Sequence, residues 1–215
     1  HLKINIKGVN EGDFTFVFGY PGTTKQFLTS DAVDYVQNVE DPTRIKLRTA
    51  RLDVYNRAMN ESPAQRLRYA SKVASVANGW KKWQGEVRGL KRLNAIEKKK
   101  AFEKDFNAWA QDKEEYRDVL AQLKKTYADI KDLNLSYTYL SEAIFASDLM
   151  NQVKNVANII SLSEKNGKND AEIVALTEKF YNSLQNYYSK DYVNHRKVDK
   201  EIFVKTMSIF YYDYA

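Results

Sequence analysis

One stretch, residues 12–30, breaks an otherwise helical pattern and so limits what this chain can fold into. Its sequence, GDFTFVFGYPGTTKQFLTS, puts Phe14, Phe16 and Phe18 on one face of a strand, followed by a Gly-Tyr-Pro-Gly turn and a second strand through Phe27. This pattern predicts a β-hairpin within residues 1–29. A lone two-stranded ribbon is marginal in water and leaves open edges, so we expect a larger protein in which the sheet continues. The truncated hairpin is then expected to pair between molecules.

The rest of the chain, from residue 30 onward, has the three- and four-residue apolar steps of amphipathic helices. The predicted boundaries are an N-cap at Ser30, a helix end near Glu40 before Pro42, a start at Ser62-Pro63, a polar link at Leu133-Asn134 and a loop over 165–170. No repeat of fixed period is present, which argues against a solenoid. The predicted fold is therefore mainly α, an elongated antiparallel helical bundle with a small N-terminal β-hairpin.

Small and aromatic residues interrupt the long helix that follows Pro63. Gly79, Gly85 and Gly89 each cost about 1 kcal/mol relative to alanine in a helix, which predicts close packing or a bend. Trp80 and Trp83 have two interpretations, as core anchors between helices or as aromatic side chains that line a cleft.

Composition excludes several kinds of site. The chain has no cysteine, so disulfides and thiolate chemistry are excluded, and it has no apolar run long enough to span a membrane. The net charge of +6 raises nucleic-acid binding as a hypothesis. However, the densest basic run, residues 98–100, lies between Glu97 and Glu103 at helical spacing. This arrangement favours a solvated helix face, and we expect no nucleic-acid partner.

Residues that could carry catalysis or bind a metal are scarce. The only histidines are His1 and His195, and neither a Gly-rich phosphate loop nor a Gly-x-Ser-x-Gly nucleophile motif is present. His195 stands among Asn194, Arg196 and Lys197, which predicts an ordinary surface residue. We therefore expect no catalytic residue, metal site or cofactor in this chain, and no activity from the chain by itself.

Three separated segments resemble one family in the right order. They are GYPGTTKQFLTS, then RLRYASKVASVANGWKKWQGEVRGLKRLNAIEKKKAFEKDFNAW, and EIFVKTMSIFYYDY near the C terminus. Together they are similar to bacterial dipeptidyl peptidases of serine peptidase family forty-six. The resemblance implies a chymotrypsin-like double β-barrel with an inserted helical domain that caps the cleft. Residues 1–29 would be a hairpin remnant of the barrel edge, and residues 30–215 the helical cap domain.

The same resemblance implies a binding role for Asn78. In Ala77-Asn78-Gly79-Trp80-Lys81 it matches the family's Asn-x-Trp-Lys element, whose Asn helps to hold the substrate's free α-amino group. Trp80 is a second candidate substrate contact. The family commonly has a bulky residue where Gly79 stands, so the local geometry is expected to differ.

The resemblance also sets expectations for the whole protein. It would be an exported serine dipeptidyl aminopeptidase, in the periplasm or cell envelope of a Gram-negative bacterium, acting on oligopeptides and with a homodimer as one expected state. The catalytic Ser, His and Asp would all lie outside this chain. Two alternatives stay open: a non-catalytic helical module that binds peptides or proteins, and a basic bundle that binds nucleic acid.

Overall fold

The computed structural model describes residues 4, 6–16, 18–19, 22, 25, 27–166 and 170–214. The α-helices are α1 Ser30–Tyr35, α2 Asp41–Glu61, α3 Pro63–Arg92, α4 Ala95–Ala110, α5 Val119–Tyr139, α6 Asp148–Asn166, α7 Ala171–Asn186 and α8 Val193–Asp213. Three π-helical turns lie among the described residues. Val36–Glu40 joins α1 to α2, Leu140–Ile144 follows α5, and Tyr187–Tyr192 joins α7 to α8. The predicted helical bundle is confirmed. None of the described helices is long and apolar enough to cross a membrane.

The predicted N-terminal β-hairpin is wrong, because the described residues before α1 contain no strand. Phe14, Phe16 and Phe18 are 89%, 74% and 95% exposed, so their apolar face is not packed against anything that would stabilise strand pairing. Alternation of apolar residues favours a strand only where a second layer covers that face. The positions of the predicted hairpin that lie outside the described residues are Val17, Tyr20, Pro21, Thr23, Thr24 and Gln26.

The expected helix end near Glu40 is also wrong. The π-helical turn Val36–Glu40 carries the helical backbone directly from α1 into α2, and Pro42 lies in the first turn of α2. Proline inside a continuous helix normally clashes with the carbonyl four residues before it, and the wider π-helical turn, in which the Asp41 N–H bonds to the Val36 carbonyl, accommodates it. At the start of α1 the capping side chain is Thr29, whose Oγ1 accepts from the Ala32 N–H, and not the predicted Ser30.

Helices α2 and α3 form a hairpin around which the main core is built. Ser62 is the only residue between them, and its Oγ accepts a hydrogen bond from the Gln65 N–H at 3.2 Å, which confirms the predicted start of α3. The buried core side chains are Leu52, Val54, Tyr55, Ala58, Tyr69, Val76, Ala146 and Ile202. Because Ile202 belongs to α8, the C-terminal helix packs on the same hairpin.

The polar link predicted at Leu133-Asn134 is wrong, since α5 continues through it to Tyr139. The chain changes direction after the π-helical turn Leu140–Ile144 instead. There Ala143 is fully buried, and its carbonyl accepts a hydrogen bond of 2.8 Å from Thr206 Oγ1 of α8. This contact ties the end of α5 to the C-terminal helix.

Candidate functional site

Asn78, the residue predicted to bind the substrate's amino group, lies in the middle of α3 and is exposed to solvent. Its side-chain amide makes no hydrogen bond to another described residue. The amide oxygen can therefore accept a hydrogen bond from a ligand without first breaking a contact within this part of the chain.

The residue after Asn78 is a glycine, and its missing side chain leaves room for Arg48. A Cβ atom at Gly79 would overlap the Arg48 guanidinium, with Arg48 Cζ only 3.2 Å away. The absent side chain lets Arg48 cross the surface of α3 and donate a hydrogen bond of 3.1 Å to the Val76 carbonyl. This confirms the close packing that the glycine predicted. At Gly85 and Gly89 a Cβ atom would meet no described atom within 4 Å.

Arg48 belongs to an ion-pair network that holds three elements together. Its Nε and Nη2 donate to the two Glu142 carboxylate oxygens at 2.9 and 2.7 Å, and Arg51 Nη1 adds a third contact at 3.3 Å. Glu142, in the π-helical turn after α5, is buried, so these charge-assisted bonds form away from bulk water. The network fixes the backbone of α3 beside Asn78 against α2 and the end of α5.

The two tryptophans on α3 occupy different environments. The indole N–H of Trp80 donates to Thr49 Oγ1 at 2.8 Å, and its ring packs against the main core. Trp80 is two residues from Asn78, which puts the two side chains about 200° apart around the helix. The structure therefore does not bring these two candidates together, and the packing favours Trp80 as a core anchor. The Trp83 ring lies 4.4 Å from the Arg48 guanidinium carbon, in cation–π contact.

His195, predicted to be an ordinary surface residue, is only 4% exposed, so that prediction is wrong. Its Nδ1 lies 3.1 Å from the hydroxyl of Tyr69, and its Nε2 lies 2.9 Å from Asp148 Oδ2. Lys72 also contacts Asp148, and its Nζ is 3.5 Å from His195 Nε2. Buried polar groups need hydrogen-bond partners, and here α3, α6 and α8 supply them to one another.

Asp148 is the electrostatic centre of this group. Burial alone would raise the pKa of Asp148, but hydrogen bonds from His195 and Lys72 outweigh burial and hold the pKa well below its ordinary value. Asp199 is bound differently, because its carboxylate accepts from the backbone N–H groups of Asp148 and Leu149 and from the Ser147 hydroxyl. It thus caps the first turn of α6.

Asp148, His195 and Asp199 bring three potential metal ligands within 4.8 Å of one another. The donor set suits a transition metal, but its surroundings do not. The Lys72 ammonium already lies against Asp148 and near His195, where it would repel a second cation. Asp199 is also committed to the N terminus of α6. The group is better understood as a buried ion-pair and hydrogen-bond network that joins three helices.

The model of the Peptidase S46 family matches residues 1–213. The chain belongs to the Peptidase S46 family. Curated S46 relatives include an "Asp/Glu-specific dipeptidyl-peptidase" of Capnocytophaga gingivalis, which is 34% identical over 98% of this chain and 29% of its own length. Another of the same description, from Flavobacterium psychrophilum, is 35% identical over 97% of this chain and 29% of its own length. A "Dipeptidyl-peptidase 7" of Capnocytophaga gingivalis is 31% identical over 90% and 27%.

A solved structure is similar to this S46 chain as well. It is DPP11 of Porphyromonas endodontalis in complex with the dipeptide Arg-Asp, with a TM-score of 0.59 and 28% sequence identity over 76% of this chain and 24% of the other. The resemblance predicted from the three sequence segments is thereby confirmed. The S46 chain spans less than a third of the length of the curated relatives that it matches.

Proposed function

We propose that residues 30–215 are the helical cap domain of an exported serine dipeptidyl peptidase, which removes dipeptides from the N termini of oligopeptides. The observation that carries this proposal is the family match over residues 1–213, together with relatives that are dipeptidyl peptidases by description. The nucleophilic Ser, the His base and the Asp that orients it lie in the parts of the longer protein that this chain does not include. The cap covers their cleft.

Asn78 binds the free amino terminus of the substrate in this proposal. Its exposed amide oxygen accepts from the α-ammonium group, and a hydrogen bond to a charged group contributes about 1.5–3 kcal/mol. The Arg48–Glu142 network holds α3 in place beneath it, so that little ordering remains to be done when the peptide binds. An internal peptide bond presents no such ammonium and is disfavoured by the same amount.

Substitution of Asn78 in the longer protein tests this role. Asn78→Ala should lower kcat/KM for peptides with a free N terminus about 10- to 100-fold. Asn78→Asp, which keeps an acceptor oxygen, should retain most of the activity. Asn182→Ala is the matched control, because Asn182 is exposed on α7 and its side chain makes no hydrogen bond to a described residue.

Substrates with acidic and with non-acidic second residues should be compared, since a relative described as Asp/Glu-specific and one described without that specificity both match this chain, at 34% and 31% identity. An unchanged kcat/KM in Asn78→Ala would refute the amino-group role. Peptide binding without any hydrolysis would instead favour the non-catalytic interaction module.

The proposal also covers where the longer protein is located and how it assembles. We place the longer protein in the periplasm or cell envelope and expect it to be a homodimer. Cell fractionation and light scattering of the purified protein check these two points, and a cytosolic monomer would contradict both.

A further inference from the structure

Helices α6 and α7 together form an arm, the α6–α7 arm, with an uncovered apolar face. The two helices pack against each other, and only residues 167–170 lie between them in the sequence, so they run antiparallel. A groove of about 550 Å³ runs between them, bordered by Ile160 of α6 and Val174 of α7. These two residues are 53% and 45% exposed, so the groove is open and apolar.

Each helix of the arm continues this apolar border along its length. The half-exposed residues of α6 recur at steps of four, three and four, which is the spacing of a coiled-coil seam. Those of α7 and of the π-helical turn after it recur at steps of seven. The residues that form this face are 40–58% exposed: Leu149, Val153, Val156, Ile160, Val174, Tyr181 and Tyr188. None of them belongs to the buried clusters of the described core.

The face is large enough to be a protein interface. A large apolar or aromatic residue has about 150–250 Å² to bury, so seven that are half exposed present roughly 500–900 Å². The largest apolar patch of an ordinary monomer is about 300–600 Å². Two copies of this face, packed together, would remove about 1,000–1,800 Å² from water, which reaches the range of about 1,200–2,000 Å² for a specific interface.

The connections from the helical domain to the rest of the longer protein lie together beside α5. In the proposed function this domain begins at residue 30 and ends at residue 215. Leu28, just before it, lines a cavity together with Tyr137 of α5. The Tyr214 hydroxyl donates a hydrogen bond of 3.2 Å to the Asp132 carbonyl of the same helix. The remainder of the longer protein therefore joins the domain at this end.

The arm leaves the domain at the opposite end. Asp148 Oδ2, in the first residue of α6, lies 2.9 Å from Nε2 of His195 near the start of α8. At the other end of α8, Asp213 pairs with Lys46 of α2. A rise of 1.5 Å per residue separates His195 from Asp213 by about 27 Å. The arm is thus remote from the connections, and its position favours a second copy of the protein as the occupant of its apolar face.

We propose that the α6–α7 arms of two copies pack face to face about a twofold axis and form the interface of the homodimer. Each copy supplies the same side chains to such an isologous contact. Glu164 and Glu178 border the groove and form no ion pair with a described residue. An antiparallel arrangement of the two arms keeps these glutamates away from those of the other copy, and four helices then enclose the apolar side chains.

This inference rests on the proposed function, since the assignment of residues 30–215 as the cap locates the connections. It gives the expected homodimer a specific interface, which the proposed function does not supply.

The first test measures the oligomeric state of the longer protein by analytical ultracentrifugation. Val153→Glu places a carboxylate in the middle of the α6 stripe, and Ile160→Glu places one near its end. Each should raise the dissociation constant of the dimer more than about 100-fold, because both copies then bury an unpaired charge. Val204→Glu is the matched control, since Val204 on α8 is 53% exposed and Val153 is 51% exposed. It should leave the dimer intact, and circular dichroism should show unchanged helix content in all three variants.

A cysteine cross-link tests where the two copies meet. The 215-residue chain has no cysteine, so one introduced residue is the only site of reaction. Val156 lies near the middle of α6, close to the twofold axis of an antiparallel pair of arms. Neighbouring helices are about 8–10 Å apart, so a bismaleimide of that length should link two copies of Val156→Cys and should not link two copies of Val204→Cys.

The outcomes separate this inference from the function on which it rests. A monomeric longer protein, a dimer that survives both glutamate substitutions, or equal cross-linking at the two cysteine positions overturns the inference. A monomer that Val153→Glu destabilises in urea also overturns it, and would mean that the remainder of the same molecule covers the face. Dipeptide release is measured on the same samples. If none of them releases dipeptides, the proposed function fails, whereas the oligomeric states still decide the interface.

Discussion

Replacing Asp41 by asparagine should change how the stability of the chain depends on pH. Burial, and secondarily the negative charge of Glu86, raise the pKa of Asp41 from its ordinary value of 3.8 to about 7, although Arg44 opposes the change. Asp41 lines a cavity between the start of α2 and α3, and the other charged groups that line it are Lys25, Glu40, Arg44, Lys82, Glu86 and Glu142. The folded protein therefore keeps a proton that the unfolded chain has already released.

The sign and size of the effect follow from this difference in proton binding. Between pH 3.8 and about 7 the unfolded chain loses the Asp41 proton first, so the free energy of unfolding falls as pH rises and levels off above pH 7. A shift of about 3 units at 1.36 kcal/mol per unit amounts to about 4 kcal/mol over the whole window. Asparagine does not ionise, so Asp41→Asn removes this loss. The variant should match the unmodified chain at pH 4 and exceed it in stability above pH 7.

Urea unfolding followed by circular dichroism at pH 4, 5, 6, 7 and 8 measures the difference directly. Asp129→Asn serves as the control, because Asp129 is exposed and its substitution should change stability by less than about 0.5 kcal/mol at every pH. Parallel stability curves for the unmodified chain and Asp41→Asn would show that Asp41 ionises normally. In that event the argument for an unsatisfied carboxyl group in the cavity is refuted.

Two pairs of substitutions test the packing of α3 and α8. Gly79→Ala should destabilise the chain by about 1–2 kcal/mol in urea unfolding, since its Cβ atom must displace Arg48, whereas Gly85→Ala, which faces open space, should stabilise it by about 0.5–1 kcal/mol. Equal effects of the two would contradict the role given to Gly79. His195→Ala should cost about 2–4 kcal/mol, because the buried Tyr69 and the partly buried Asp148 both lose a hydrogen-bond partner. Lys197→Ala, exposed on the same helix, should cost almost nothing, and a neutral His195→Ala would mean that this network does not contribute to stability.

Local sequence signals predicted the start of α3, whose cap depends on neighbouring residues alone. Ser62 Oγ accepts a hydrogen bond from the Gln65 N–H, three residues later. A side chain and the backbone three residues later are close in any helix, so no tertiary information is needed. The structure puts Asn78, the residue singled out by the family motif, at an exposed position of α3, and its binding role stays a prediction.

The helix ends that were predicted wrongly depend on contacts or backbone geometry that the local sequence does not show. Leu133-Asn134 looked like a polar link, but the helix continues and ends only where Ala143 meets Thr206 of α8. Pro42 was expected to end the first helix, yet a π-helical turn before it lets the backbone continue. The prediction of an N-terminal hairpin was wrong for a related reason. Alternating phenylalanines predict a strand only if a second layer is present to bury them, and nothing in residues 12–30 says where that layer is.

Polar residues on a buried helical face were the hardest to find. A set of buried residues recurs at three- and four-residue steps from the end of the third π-helical turn into the middle of α8: Tyr192, His195, Asp199, Ile202 and Thr206. A search for apolar periodicity finds too few apolar members in this set and assigns the polar ones to solvent. The available signal was the helical spacing of polar residues that can be hydrogen-bond partners of one another, because His195 and Asp199 are four residues apart and share a face.

The buried Asp41 and the partly buried Asp148 differ in the partners that folding gives them. Asp148 has a cation and an imidazole as partners, so its charge is stabilised within the fold and its pKa is lowered. Asp41 is more deeply buried, keeps an oxygen without a partner, and has a raised pKa. The effect of a carboxyl group on stability at neutral pH therefore depends on the partners that folding gives it, and not on burial alone. The sequence does not reveal this contrast, because the partners of Asp148 come from α3 and α8, far from it along the chain.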